Sequence, residues 1–302
     1  MYQQHFLLNS YPFGLTPDTR FFYELPSHSE AFNVLLIALH NGEGFIKITG
    51  NVGTGKTLLC RKLLNELSAT FKTAYIPNPH LTPAALRMAI ADELGIKYTH
   101  KTEQHQLLKL INNFLIEAAK AGKRLVLIID EAQAMPLETL EALRLLTNLE
   151  TETQKLLQIV LFGQPELDQQ LQNPAIRQLR QRITFSYALK PLTAQQVKNY
   201  LRHRLQIAGL NSPTLFSGLA SKAMHYFSRG IPRLVNILAH KALIAAYGKG
   251  YKRVGLKQVY LAAKDTEDTN TLWRLGGVNF SRLMIVLILI SVGFGLNLVD
   301  WR

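Results

Sequence analysis

The residues Gly50-Asn51-Val52-Gly53-Thr54-Gly55-Lys56-Thr57 follow the spacing G-x-x-x-x-G-K-[ST], which suits a loop that encloses phosphate. Glycines at 50, 53 and 55 admit backbone conformations closed to other residues, so the loop can turn its N–H groups inward. An apolar run, Phe45-Ile46-Lys47-Ile48-Thr49, precedes it and a helix-like stretch, Leu58 to Leu64, follows. The phosphate therefore also meets the positive end of a helix. In this arrangement Lys56 reaches the β and γ phosphates and Thr57 ligates Mg²⁺. The expected nucleotide contacts are Gly50, Asn51, Val52, Gly53, Thr54, Gly55, Lys56, Thr57 and Leu58, and the expected cofactors are ATP and Mg²⁺.

A phosphate loop needs acidic partners, because Mg²⁺ takes carboxylate ligands and an attacking water must be oriented. Asp130-Glu131 follows the continuous apolar run Leu125 to Ile129. Asp130 is expected to hold the metal, through water, and Glu131 to orient the nucleophilic water. Gln164 follows another apolar run, Leu156 to Phe162, and is expected beside the same site; an ordinary turn residue before Pro165 is the alternative. Arg177, Arg180 and Arg182 cluster before a further strand. Arg180 or Arg182 there can reach a neighbouring subunit's nucleotide, and a solvated basic helix face explains one or two of the three equally well. Arg233, in Gly230-Ile231-Pro232-Arg233, is expected to open a helix and contact phosphate from above. The nine histidines show no metal-ligand spacing, so no zinc is expected.

Alternating elements must position these groups. Strands are predicted at 45–49, 73–77, 125–129, 156–162 and 183–189, with helices at 83–94, 104–119 and 137–149 between them. This alternation implies an α/β fold with a parallel five-stranded sheet. From Thr193 the periodicity becomes purely helical, over 194–208, 215–227, 232–247 and 256–264. The expected domains are an α/β core at 1–191, a helical lid at 192–265, a polar linker at 266–282 and an apolar segment at 283–299, with a tail at 300–302.

The chain has 302 residues, 47% hydrophobic and 18% charged, which suits well-packed domains and excludes a largely disordered chain. Its single cysteine, Cys60, excludes an internal disulfide and is expected to be buried as a small apolar residue. Thirty-four Lys and Arg against 21 Asp and Glu give +13, which favours anionic partners. Leu283 to Val299 is 17 residues without a charge, about 25 Å as a helix and at the lower limit for crossing a bilayer. Lys264, Arg274 and Arg282 precede it, so the positive-inside bias places the large domain in the cytoplasm. The start of the chain has neither the basic residues nor the apolar core of a signal peptide.

The order of phosphate loop, Asp130-Glu131, Gln164, arginine cluster and Gly230-Ile231-Pro232-Arg233 resembles the AAA+ ATPases, whose core sheet is followed by a helical lid. Tyr11-Pro12-Phe13-Gly14-Leu15-Thr16-Pro17-Asp18, Leu143 to Glu150, Lys155-Leu156-Leu157-Gln158 and Leu161 to Leu167 are similar to one branch, the general secretion pathway protein A (ExeA-like) family. The resemblance covers residues 10–265. It implies a cytoplasmic ATPase tethered to a bacterial inner membrane, serving a type II secretion or type IV pilus machine. The short reach beyond residue 299 is similar to the MSHA-pilus branch. By the family's pattern Lys56 and Thr57 take the Walker A roles, Asp130 and Glu131 the Walker B roles, Gln164 the sensor 1 place, Arg233 the sensor 2 place, and Arg182 fits the arginine finger. Gln164 departs from the Asn or Thr common there. The implied partners are further copies of the chain in a ring, other assembly proteins and the inner membrane, with no nucleic acid. Two other readings share the core: a DNA-acting ATPase of the transposition or replication-initiator type, and a scaffold switched by nucleotide with little turnover.

Overall fold

The computed structural model describes residues 2–16, 18–21, 23–67, 71–99, 101–146, 155–210 and 215–269. In chain order the helices are α1 (Tyr2–His5), α2 (Pro26–His40), α3 (Lys56–Leu67), α4 (Pro83–Leu94), α5 (Gln104–Lys120), α6 (Leu137–Leu146), α7 (Pro165–Gln170), α8 (Arg177–Arg182), α9 (Ala194–Ile207), α10 (Gly218–Ser228), α11 (Pro232–Tyr247) and α12 (Leu256–Lys264). The strands are β1 (Phe45–Thr49), β2 (Phe71–Ile76), β3 (Arg124–Ile129), β4 (Leu157–Gly163) and β5 (Ile183–Ala188). They form one parallel sheet in the order β2-β3-β4-β1-β5.

Side-chain alternation explains why the central strands read as unbroken apolar runs. In β3, Leu125, Leu127 and Ile129 face a core shared with α4, α5 and α6, while Val126 and Ile128 face α2 and α3. In β4, Leu157, Ile159 and Leu161 take the first side, and Val160 and Phe162 the second. Helices cover both faces, so neither set of side chains meets water. Lys47, mid-strand in β1, is accommodated by an ion pair with Asp168. Cys60, on α3, is fully buried in the α2–α3 layer. All five predicted strands are present. The structure adds α2, which the sequence analysis did not propose.

A third apolar cluster lies in the helical region. Val197, Leu201, Met224, Val235, Leu238 and Val259 form its centre, and Tyr2, Phe6, Leu8, Phe13, Phe21 and Leu25 from the N-terminal segment join it. The first residues of the chain thus pack with the lid helices and not with the sheet. The helix expected at 215–227 begins at Gly218, capped by Ser217, because Phe216 instead bridges Val254 in the turn before α12. Residues 266–269, at the start of the expected linker 266–282, are described, and the rest of it lies outside the described residues. Thr266 and Thr269 are buried, their hydroxyls donating to the carbonyls of Ala262 and Ala263, so the chain stays attached to the lid through Thr269. Among the described residues no helix is long and apolar enough to cross a membrane. The segment proposed to do so, 283–299, lies outside the described residues, as does the expected tail at 300–302.

The entry into the lid is held by tight backbone contacts. The Leu192 N–H donates to Gly230 O at 2.8 Å, and a Cβ on Gly230 would lie 2.1 Å from Leu192 O. Gly230 also has φ +72°, in the left-handed region. Gly230→Ala should therefore cost roughly 2 kcal/mol or more, combining left-handed strain with a backbone clash. Gly250→Ala, at φ +68° with open space around it, should cost about 1 kcal/mol. Urea unfolding of the two variants checks this; equal losses would remove the Leu192 contact as the cause.

Candidate functional site

Parallel pairing brings the ends of three strands to one edge of the sheet, where ligands of such sheets bind. Thr49 is in register with Gly163, and the Gly50 N–H donates to Gly163 O at 3.2 Å. Ile76 is in register with Ile129, and the Asp130 N–H donates to Ile76 O at 3.0 Å. The phosphate loop, Asp130-Glu131 and Gln164 are thereby neighbours.

The loop is held by its own residues. Gly53 and Gly55 have φ of +80° and +99°. The Thr54 hydroxyl donates to Asn51 O at 2.8 Å, and Lys56 Nζ donates to Gly50 O at 2.8 Å and Asn51 O at 3.2 Å. Lys56 is buried, and burial pushes its amine below the ordinary lysine range against the opposing pull of Glu131, Asp130 and Glu166. From below, His28 of α2 is hydrogen-bonded through Nε2 to Thr54 O at 2.8 Å. A Cβ on Gly55 would meet that same nitrogen at 2.8 Å. Burial holds the His28 pKa below its usual value, which favours a neutral ring donating to the carbonyl.

The two acidic residues, adjacent in sequence, have opposite surroundings. Burial raises the Asp130 pKa, opposed by hydrogen bonds from the Thr57 hydroxyl and the Glu131 amide, the latter at 2.9 Å. Glu131 sits in the left-handed region, at φ +51°. Burial alone would raise its pKa, but side-chain hydrogen bonds from Gln133 and Gln164 and the Lys56 charge hold it below the usual range. Gln133 Nε2 and Gln164 Nε2 both donate to Glu131 Oε2, at 2.6 and 3.0 Å. The Gln164 N–H donates in turn to Gln133 Oε1 at 3.0 Å.

A cleft of about 340 Å³ opens above these groups. Val52, Gly53, Gly55, Lys56, Thr57, Leu58 and Glu131 form its floor, and Arg233, Asn236, Tyr200 and Arg204 its lid side. Gly14, Leu15, Thr16 and Asp18 close it from the N-terminal segment. Arg204 is buried, with Nη1 donating to the Tyr200 hydroxyl at 2.8 Å; that hydroxyl donates to Asn236 Oδ1 at 3.0 Å. A neighbouring cavity of about 630 Å³ shares Gly14, Thr16, Asp18 and Arg204.

Of the residues singled out in the sequence, Lys56, Thr57, Glu131 and Arg233 come together in the cleft, with Asp130 hydrogen-bonded to Thr57. Gln164 lies behind Glu131, in contact with it but outside the cleft lining. Gly50, Asn51 and Thr54 support the loop from outside the lining. Arg180 and Arg182 are on α8, away from the cleft, with Arg182 Nη1 donating to Arg144 O at 3.3 Å. Gln133, His28, Tyr200, Arg204 and Asn236 escaped the sequence reading. A glutamine two residues past a strand-end acid, or lid residues joined only by tertiary packing, follow no spacing rule.

Residues 39–171 match the AAA domain family, and that stretch contains the phosphate loop, Asp130-Glu131 and Gln164. That stretch is an AAA P-loop NTPase domain. The chain is 46% identical over 263 residues to General secretion pathway protein A of Aeromonas hydrophila, covering 87% of the chain. It spans about half of that relative's length, 48%. Similar solved structures include Cdc6p from Pyrobaculum aerophilum, at TM-score 0.64 and 23% identity, covering 82% of this chain and 70% of the other. The Aeropyrum pernix ORC1 protein in complex with DNA aligns at TM-score 0.59 and 21% identity, covering 83% and 68%. The Thermotoga maritima RuvB Holliday junction branch migration motor aligns at 0.54 and 18%, covering 92% and 86%. At these identities the likeness is one of fold.

Removing the Gln133 amide takes away one of the two donors that keep Glu131 charged. Gln133→Leu should raise the Glu131 pKa, so the acid limb of the ATPase pH–rate profile should move to higher pH. An unmoved acid limb would show that this hydrogen bond does not set the Glu131 charge.

Proposed function

We propose that this chain is an inner-membrane-anchored ATPase that hydrolyses ATP to drive or regulate assembly of a type II secretion machine or a type IV, MSHA-like pilus. The observation that carries this reading is the 46% identity to General secretion pathway protein A across both the α/β core and the lid. In the proposed organisation the core is 1–191, the lid 192–265, the linker 266–282 and the membrane segment 283–299, with 300–302 beyond it and the ATPase cytoplasmic.

The donors around the cleft suit a nucleoside triphosphate with Mg²⁺. Backbone N–H groups of the loop, at the start of α3, supply anion-binding dipoles, and Lys56 supplies the nearest positive charge. Thr57 and Asp130, already hydrogen-bonded to each other, are the groups that would hold Mg²⁺, which when bound offsets charge on the phosphates. Glu131, kept ionised, orients the attacking water and accepts its proton. Gln164 fixes the Glu131 carboxylate, and Arg233 meets the phosphates from the lid side. Arg180 and Arg182, on α8 and outside the lining of their own cleft, act on the nucleotide of the next subunit in a homo-oligomeric ring.

Lys56→Ala should lose most ATPase activity, measured on purified protein by phosphate release. Glu131→Gln should still bind ATP and hydrolyse it about a hundredfold more slowly. Mixing Arg182→Ala with Glu131→Gln chains should restore part of the activity, because one chain's intact arginine then serves the other's intact site. Absence of rescue would place the finger elsewhere. Membrane attachment is checked by fractionation of cells expressing the chain with and without residues 283–302; recovery of both forms in the soluble fraction would overturn it.

A further inference from the structure

The positive charge of the chain is confined to one region. From Gln169 to Lys264 there are 96 residues with sixteen Lys or Arg and no Asp or Glu, so this stretch carries +16 and the remainder −3. Part of this charge serves the nucleotide cleft. A second part cannot. Helix α11 starts at the cleft and its 16 residues carry the chain about 24 Å away. At that far end, in the turn to α12 and its first residues, are Lys249, Lys252, Arg253 and Lys257, all exposed and none in an ion pair among the described residues.

Apolar groups are interleaved with these cations. Tyr251 is 50% exposed and Leu256 48%, beside a shallow depression of about 430 Å³. Along α12, Lys257, Leu261 and Lys264 recur at helical spacing, all exposed, and so present one face that is basic and aliphatic together. Exposed leucines gain nothing from a nucleic-acid backbone. A bilayer interface takes up both kinds of group, with aliphatic and tyrosine side chains among the upper acyl chains and ammonium and guanidinium heads at the phosphates. The uncharged stretch starting at Leu283 begins 19 residues after Lys264, so a membrane is within reach of this face.

We propose that the α11–α12 turn and the outer face of α12 dock on an anionic bilayer surface, fixing the lid at the membrane. This rests on the membrane attachment proposed above. Each basic side chain at such a surface adds about fivefold to partitioning, and salt screens the effect.

The test uses the full chain reconstituted into nanodiscs of phosphatidylcholine alone or mixed with phosphatidylglycerol, with tryptic cleavage at Lys252 and Arg253 followed by mass spectrometry. Cleavage should be roughly tenfold slower in the anionic discs, and the difference should vanish in about 1 M salt, where the Debye length is about 3 Å. Lys252→Glu with Lys257→Glu should abolish the lipid dependence at Arg253 while leaving ATP turnover in neutral discs unchanged. Equal cleavage in both discs, with the chain incorporated in both, overturns the docking and leaves the attachment standing. A chain that enters neither disc overturns both. Protection by duplex DNA, without any by anionic lipid, assigns the face to nucleic acid and overturns the proposal.

Discussion

The Arg233 N–H donates to Gly53 O at 3.1 Å, and the whole cleft depends on that junction of lid and phosphate loop. A Cβ on Gly53 would lie 2.5 Å from Arg233 Cβ, so glycine here permits the loop conformation and the close approach of α11 at once. Because α11 begins there, Asn236 projects into the cleft one turn later and is joined through Tyr200 to Arg204. Leu192 and Gly230, hydrogen-bonded to each other, mark where the chain enters and recrosses the lid. Binding geometry and lid position are thus set by the same few backbone contacts.

Beneath that junction, one turn of backbone separates two carboxylates chemically. Asp130 continues the buried strand and is drawn toward neutrality except for its hydrogen bonds with Thr57 and the Glu131 amide. Glu131 is turned out by its left-handed conformation and met by two glutamine amides. Groups identical in chemistry are driven apart by surroundings, as acid–base sites require. The strain at Glu131 is of the kind that persists where neighbouring contacts over-determine a functional residue.

What could be read in the sequence was what rests on local periodicity or fixed spacing. The central strands β3 and β4 were legible because helices on both sides force continuous apolar runs, and the loop because phosphate wrapping needs Gly50, Gly53, Gly55, Lys56 and Thr57 in order. Helix α2 was not legible: its apolar face reaches the sheet only once β1 and β4 are paired, and Pro26 at its start also suits a turn. The same holds for His28, which has meaning only beneath Gly55, and for the N-terminal aromatics, whose core lies some two hundred residues further along the chain. Thr266 and Thr269 look like linker residues by type, yet carbonyls at the end of α12 satisfy their hydroxyls.

Cys60 lies fully buried under the sheet on the first helix after the phosphate loop, its pKa pushed far up by burial. A thiol that reacts only as thiolate is doubly protected there, by inaccessibility and by its proton. The native chain therefore shields this thiol from thiol-alkylating reagents. Its one sulfhydryl becomes a clock for the opening of the α2–α3 layer, and a cysteine placed anywhere on the lid surface can carry a spectroscopic label alone.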